Sequence, residues 1–384
     1  MATISTLIRN LFRKKKVEKV EKIEDFEAAS QWKLMLWKFR KHHMARIALP
    51  LIGLMYILAI FSEFIAPYGP QERFSEFSFA PPSRVRFVCV HDGFSIHPFV
   101  YNIVSYVDPL THRRVYEEDT NQKFFLRFFS EGSDYMMWGV IPGNLRLVTI
   151  DGEGRPFFPM GTDRLGRCVF SRVIFGARIS LSFGFVSIFF TFIIGIVLGG
   201  MSGYLGGKVD TVVQRLIDLL LCMPTIPLWM TLAAAMPRDW DPIRIYLGMV
   251  VLMSLIGWTG LARVVRGKIL SLREEDFAMA ARLSGASHAR ILFKHMIPSF
   301  YSFIIVSITI SLPGAILGET ALSFLGLGLQ APVVSWGVLL QDAQSLDVLA
   351  FYPWLMAPAF FVVLIVLLFN FLGDGLRDAA DPYK

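Results

Sequence analysis

Apolar residues fall along this chain in long unbroken runs. A helix needs roughly 20 mostly apolar residues to cross about 30 Å of hydrocarbon. Six runs pass that test, at 47–65, 179–201, 212–235, 245–262, 297–318 and 351–373. Glu63 lies near the far end of the first and Asp218 near one end of the third, while the other four hold no charge. A seventh charge-free run, 320–341, is broken by Gly326, Gly328, Pro332 and Gly337. The backbone polar groups of a broken segment find no partners in lipid, so this run is expected to be re-entrant or surface-lying on the outer side.

Between the runs the pattern changes. Residues 32–46 mix bulky apolar and basic side chains just before the first span, which suits an interfacial helix or, equally, a plain basic flank that sets topology. Residues 84–158 hold short runs such as Arg86-Phe-Val-Cys-Val and Asn144-Leu-Arg-Leu-Val-Thr-Ile, separated by Gly, Pro and Asp. Alternation bounded by turn residues predicts strands, hence a β-rich insert. Beyond it Thr162 or Asp163 is positioned to cap a helix that would lie along the membrane surface and feed the second span.

Composition agrees with the runs, at 54% hydrophobic and 18% charged residues. Residues 1–46 carry twelve Lys/Arg against five Asp/Glu, which by the positive-inside rule places the N-terminus in the cytoplasm. Six spans then return the C-terminus there, together with the basic loop between spans four and five. The long segment 67–178 is nearly neutral, thirteen Lys/Arg against twelve Asp/Glu, and long loops cross regardless of charge. The basic tail suits anionic headgroups better than nucleic acid, and the first run begins too late for a cleavable signal. Of the cysteines, Cys222 falls within span three, while Cys89 and Cys168 share the outer segment, where a disulfide between them is left open.

The chain lacks a phosphate-binding loop. At Gly267-Lys268 the required earlier glycine is Ala262 and the following residue is Ile269, against G-x-x-x-x-G-K-[ST]. No His pair has zinc-like spacing with a Cys partner, and no nucleophile, base or metal constellation stands out, so neither catalysis nor a bound metal is expected. Asp218 and Arg215, one helical turn apart, are expected to pair locally.

Most informative is the polar interruption at about 263–297. Ser271-Leu-Arg-Glu274 has the form of a capping box, predicting a helix start, with Asp276 in the first turn. Ala278, Ala280 and Ala281 promise a smooth surface, Gly285 a stop, and Ser287 a second helix running to Pro298 and the fifth span. A helix, a Gly turn and a second helix would make a rigid knuckle; the alternative is an ordinary loop between two spans, solvated and basic because it is cytoplasmic.

That passage resembles the cytoplasmic "EAA" loop of ABC importer permeases, in the dipeptide, oligopeptide and nickel group, and specifically the C-type member of the usual pair. The resemblance extends through Ala80-Pro-Pro-Ser, Gly161-Thr-Asp with Gly166-Arg167 and Ser171-Arg172, Gly176-Ala-Arg-Ile-Ser-Leu, Gly203-Tyr with Asp210, Arg215 with Asp218, Ala280-Ala-Arg with Gly285-Ala-Ser, Glu319-Thr-Ala-Leu-Ser-Phe-Leu-Gly-Leu-Gly, Ser335-Trp-Gly and Asn370-Phe-Leu-Gly-Asp-Gly-Leu-Arg-Asp. It omits the tail before about Trp32 and the insert, whose place resembles the extended region of microcin C type peptide permeases without assigning that subgroup. Two positions depart: the family's loop glutamate falls on Met279, and its Asp after Gly-Arg on Cys168.

The resemblance implies an all-α polytopic membrane protein of six transmembrane helices, a type I ABC importer permease with a β-rich extracytoplasmic insert. The expected organisation is a basic cytoplasmic tail 1–46, a first helix 47–66, an outer loop 67–178 with the insert at about 84–158, a core 179–373 and a cytoplasmic end 374–384. Ala278, Met279, Ala280, Ala281, Arg282, Gly285, Ala286 and Ser287 would meet the ATPase. Implied partners are a homologous permease subunit, two ATPase subunits holding the ATP and Mg, an extracytoplasmic binding protein and the bilayer of the inner membrane. Peptide is the expected cargo, with nickel, oligosaccharide or opine-like compounds as alternatives. A gradient-driven transporter is disfavoured because spans two, four, five and six hold no mid-bilayer charge.

Overall fold

A computed structural model of the chain describes residues 31–89, 93–110, 113–151, 157–237 and 239–380. Most of the basic tail expected at 1–46 therefore lies outside the described residues. Its last part forms α1 (Gln31–Lys41), with Lys41 over the Trp37 ring at 4.5 Å. Then come α2 (His43–Ile60), started by His42, whose Nδ1 accepts from the Ala45 N–H at 3.2 Å, and the short α3 (Ser62–Ile65).

After the sheet, the chain continues as α4 (Val169–Leu205), α5 (Gly207–Cys222), α6 (Thr225–Ala234), α7 (Pro242–Leu272), α8 (Asp276–Leu283) and α9 (His288–Arg290). The C-terminal part holds α10 (Tyr301–Phe324), α11 (Trp336–Gln341), α12 (Leu346–Phe351) and α13 (Ala357–Ala380). Among the described residues five helical segments are long and apolar enough to cross a membrane: His43–Ile60, Val169–Leu205, Pro242–Leu272, His288–Phe324 and Pro353–Ala380.

The expected third span is instead α5 and α6, bent by 89°. Pro224 lacks an N–H and drives Met223 out of the helical region (ψ 135), so an apolar run that reads as one span is two helices. The total is six only if that pair counts as one crossing.

Two further expectations change. Neither Thr162 nor Asp163 caps a separate surface helix: Thr162 pairs with Cys168 in an isolated bridge, and a single helix runs unbroken from Val169 to Leu205. Asp163 is fully occupied elsewhere, accepting from the Leu165 and Arg167 amides at 2.8 and 3.0 Å and from the buried guanidinium groups of Arg167 and Arg172 at 2.7 and 2.5 Å. The broken run at 320–341 forms no single helix of membrane-spanning length. It ends α10, turns through Gly326 (φ +74) and returns as α11, whose Trp336 is completely buried and donates its indole N–H to the Val173 carbonyl at 3.0 Å.

Helix α4 is the spine of the bundle. On one side it meets α7 so closely that a Cβ at Gly199 would stand 2.4 Å from the Ala262 carbonyl oxygen, and one at Gly203 2.8 Å from that of Arg266. Small residues allow such backbone approach where lipid supplies no hydrophobic drive between helices. On the other side Leu181, Ile188 and Phe192 join Ile304, Leu312 and Ile316 of α10, Ile365 and Phe369 of α13, and Ile52 and Met55 of α2 in one core.

The insert is a four-stranded antiparallel sheet, β1 (Arg86–Cys89), β2 (Gly93–Val107), β3 (Arg114–Met137) and β4 (Ile141–Ile150), in that order. The long β3 serves two hairpins in series, pairing Phe125 with Phe99 of β2 and Leu126 with Ile150 of β4. Buried Arg146 fastens the second hairpin to the end of α3 by donating to the Ala66 carbonyl at 2.5 Å and to Ser133 Oγ at 2.8 Å. Cys168 is a free thiol, pushed above its ordinary pKa by burial, so the disulfide left open with Cys89 is not formed.

Candidate functional site

The polar interruption folds as a knuckle, though not where the capping box placed its start. Ser271 lies in the last turn of α7, and α8 begins after Glu275, which makes no side-chain cap bond. The signal was local, whereas Ile269 of the same turn is completely buried in the core and carries α7 through it. Asp276 does occupy the first turn of α8, where its charge favours the positive helix end.

The other end follows the sequence. Gly285 has φ +78, and its N–H reaches the Arg282 carbonyl at 3.0 Å while the Ala286 N–H reaches that of Ala281 at 3.1 Å. These two bonds are a Schellman stop, which favours glycine at the left-handed position. Ser287 then caps α9, accepting from the Arg290 N–H at 3.4 Å. The second helix is irregular. A π-helical stretch (Ile291–Met296) and a 3-10 turn (Ile297–Phe300) precede α10, around Pro298, which has no N–H to give.

The expected site residues divide between two faces. Ala278 is buried and Ala281 half-buried against the chain's own core, with Ala286 beside them. Ala280, Arg282, Gly285 and Ser287 are exposed, as are Phe277, Met279 and Leu283, the last 88% accessible. The alanines therefore make no continuous outward surface: two of the three seat the knuckle, while Met279 and Leu283, one turn apart, share an exposed side and Phe277 is exposed on another.

Tyr204, which the sequence marked only through the Gly203-Tyr passage and without a role, holds the knuckle to α4. Tyr204, 7% exposed, has its hydroxyl 3.2 Å from Nδ1 of His288, and the Arg282 guanidinium lies over its ring at 5.9 Å. One side chain thus touches both arms of the knuckle. Close by, Asp210 receives a two-pronged contact from Arg266 (2.5 Å for each bond) and one from Ser202 at 2.5 Å, clamping the α4–α5 turn to the base of α7. Asp218 pairs with Arg263 of α7 and not with Arg215 as expected.

Above this end lies a cavity of about 440 Å³ between α4, α6, α7 and α10. Ser187, Thr191, Ser307 and Ser311 give it hydroxyls, Gly257, Gly260 and Gly314 give it open backbone, and Trp229 gives it a flat aromatic wall. Its lining is uncharged. These residue types also pack helices, so nothing in their spacing announced a cavity. Beyond it, completely buried Glu319 of α10 accepts from Ser180 at 3.1 Å and Ser323 at 2.9 Å. It lies one residue past the boundary drawn for span five, and its hydroxyl partners give it a packing role between α4 and α10.

Comparison with known proteins fits these features. Residues 195–383 match the family described as binding-protein-dependent transport system inner membrane component, and residues 30–82 match the N-terminal TM domain of oligopeptide transport permease C. The chain is 41% identical over 223 residues to the dipeptide transport system permease protein DppC of Bacillus subtilis (strain 168), covering 58% of this chain and 68% of that one. Against the oligopeptide transport system permease protein OppC of Haemophilus influenzae the identity is 40% over 261 residues, 67% and 78% of the two chains. A putative peptide permease protein of Brucella suis is 39% identical over 243 residues, 63% and 78%. The chain therefore belongs to the family of binding-protein-dependent transport system inner membrane components, as a C-type permease subunit.

Proposed function

We propose that this chain and a homologous permease subunit together line the membrane path of an ATP-driven peptide importer. Two ATPase subunits, which hold the ATP and Mg, dock on the knuckle, and an extracytoplasmic binding protein delivers the cargo. The observation that carries this reading is the knuckle itself, capped at both arms, seated through Ala278 and Tyr204 and presenting Phe277, Met279 and Leu283 outward. Peptide is the cargo because the curated relatives are named for dipeptide and oligopeptide transport. An uncharged cavity lined mostly by apolar side chains, with four hydroxyls and three glycines among them, suits a ligand whose side chains vary while its backbone does not.

The division of the chain follows from this reading. The tail 1–46 and the end 374–384 are cytoplasmic, helix 47–66 crosses first, the loop 67–178 with its insert at about 84–158 stands outside, and 179–373 is the core. The coupling loop is about 263–297; of the eight expected contacts, Met279, Ala280, Arg282, Gly285 and Ser287 face outward to the ATPase, while Ala278, Ala281 and Ala286 seat the loop on the chain's own core. Closure of the ATPase dimer pushes on α8, Tyr204 passes the displacement to α4, and the cavity changes its access. ATP drives this only by binding one state better than the other.

The test is peptide uptake into proteoliposomes holding the complete complex, with binding protein outside and ATP inside. ATP-dependent accumulation that Gly285→Pro abolishes, with ATP hydrolysis retained, is the expected result. The reading fails if the intact chain leaves the membrane without any ATPase subunit and added ATPase produces no uptake.

A further inference from the structure

The second hairpin of the insert ends in an apolar tip that touches the bundle through Trp138 but keeps most of its apolar surface exposed. Met136, Trp138, Val140 and Ile141 are 53, 61, 75 and 59% exposed. Residues 135–145 carry no charge, although the segment around them is rich in both signs. Isolated apolar side chains on a surface mean little, but a contiguous apolar tip marks an interaction.

Its position identifies the partner. The Trp138 indole N–H donates to the Ile60 carbonyl at 3.0 Å, and the Trp138 amide to Glu63 Oε1 at 3.1 Å. Both acceptors lie at the end of the first membrane helix, where Arg178 of α4 holds the Glu63 carboxylate with two bonds at 2.8 and 2.5 Å. From Arg46, the last basic residue before that span, a helix rising ~1.5 Å per residue reaches Ile60 after about 21 Å. The hydrocarbon is about 30 Å thick, so Ile60 and the tip bonded to it stand below its far boundary. The exposed apolar side of α2, through Leu54, Ile57, Ile60 and Phe61, runs directly into the tip.

The N–H donors of the tip are also satisfied within the protein. Gly139 and Val140 donate to the Met136 and Met137 carbonyls at 3.1 Å each, and the two Trp138 donors are satisfied by α2 and α3. An unsatisfied donor would cost several kcal/mol in lipid and nothing in water.

We propose that the hairpin tip, Met136 to Ile141, is inserted into the leaflet at the end of the first span, with lipid acyl chains as its partner, so that the insert is anchored to the bilayer and not only to its own chain. Trp138 then marks the interfacial depth typical of tryptophan, and the tip enters by the ~5–10 Å usual for interfacial elements.

The experiment places a nitroxide at Val140→Cys, in a Cys89→Ser, Cys222→Ser background, in the complete transporter reconstituted in liposomes. Collision with oxygen, which concentrates in lipid, is compared with collision with a water-soluble nickel chelate. Leu110, 91% exposed in the turn after β2, carries the same label as the reference in water. Insertion gives Val140 a severalfold higher oxygen-to-nickel ratio than Leu110. Equal ratios place the tip in water and overturn the proposal. A Val140 label that neither reagent reaches means that a protein partner covers the tip, which overturns it too. Val140 is exposed, so the label does not threaten the fold.

Discussion

Tyr204→Phe removes one hydroxyl and nothing else, which makes it the sharpest probe of how the knuckle is seated. The lost contact is the 3.2 Å bond to His288 Nδ1, while the ring that supports Arg282 at 5.9 Å is kept. A single hydrogen bond contributes about 0.5–1.5 kcal/mol net. If the knuckle is either seated on α4 or released, the equilibrium between the two shifts about 2- to 12-fold on that range. The assay is the number of ATP molecules hydrolysed per peptide accumulated in proteoliposomes, which should rise by a similar factor because ATPase motion reaches α4 less often. Tyr204→Ala also deletes a buried ring, a change of about 3–5 kcal/mol for a large aromatic, and should uncouple almost completely. His288→Ala supplies the control, since both single variants break the same bond and the double variant should be no worse than either alone. Additive effects in the double variant, or an unchanged ATP-to-peptide ratio in both Tyr204 variants, would refute a coupling role for this contact.

Four other outcomes are expected. Gly199→Val drives a side chain into the Ala262 backbone and should lower the thermal stability of the complex by at least the ~1–3 kcal/mol of overpacking, whereas Gly267→Ala, with nothing within 4 Å, should be neutral. Arg146→Met leaves the Ala66 and Ser133 carbonyls unbonded, and at about 1.5–3 kcal/mol per charged bond limited proteolysis should cut the second hairpin much faster than in the parent. In a Cys89→Ser, Cys222→Ser background Cys168 should resist maleimide at pH 8 until denaturant is added, because burial removes access and raises its pKa; rapid native labelling would contradict that packing. Met279→Glu should make ATPase docking weaken with added salt, and salt-sensitive docking in the parent would count against an apolar contact.

The parts of the fold written in local chemistry were legible. Lipid demands continuous apolar runs, so among the described residues five helical segments long and apolar enough to cross stand where the runs are, and Gly285 and Ser287 act on their own local backbone, needing no knowledge of distant neighbours. What escaped was chosen at long range. Arg215 lies one helical turn from Asp218 in sequence, yet the packing of α5 on α7 brings Arg263 to it instead. Ser271-Leu-Arg-Glu274 satisfies the capping pattern, but buried Ile269 holds that turn inside α7. Thr162 and Asp163 looked like helix caps until Arg167 and Arg172 claimed the carboxylate. The cavity was invisible for a different reason: serine, threonine and glycine serve both to pack helices and to line a space between them.

Met279 stands where the family's loop carries a glutamate. Were its position glutamate, the expected docking contact would be an exposed ion pair, worth about 0–1 kcal/mol and screened by salt. Methionine there is 47% exposed, between Phe277 at 41% and Leu283 at 88%, so all three have apolar surface left to bury. Fully burying a side chain of this class contributes about 1.5–3 kcal/mol, and the flexible thioether adapts to irregular surfaces. On the proposed reading the substitution exchanges a weak polar contact for a stronger apolar one, and docking does not require that Glu274, Glu275 or Asp276 replace the missing charge. Glu274 is already engaged with Arg273 at 2.9 Å and Asp276 lies in the first turn of α8, where both serve the knuckle's own structure.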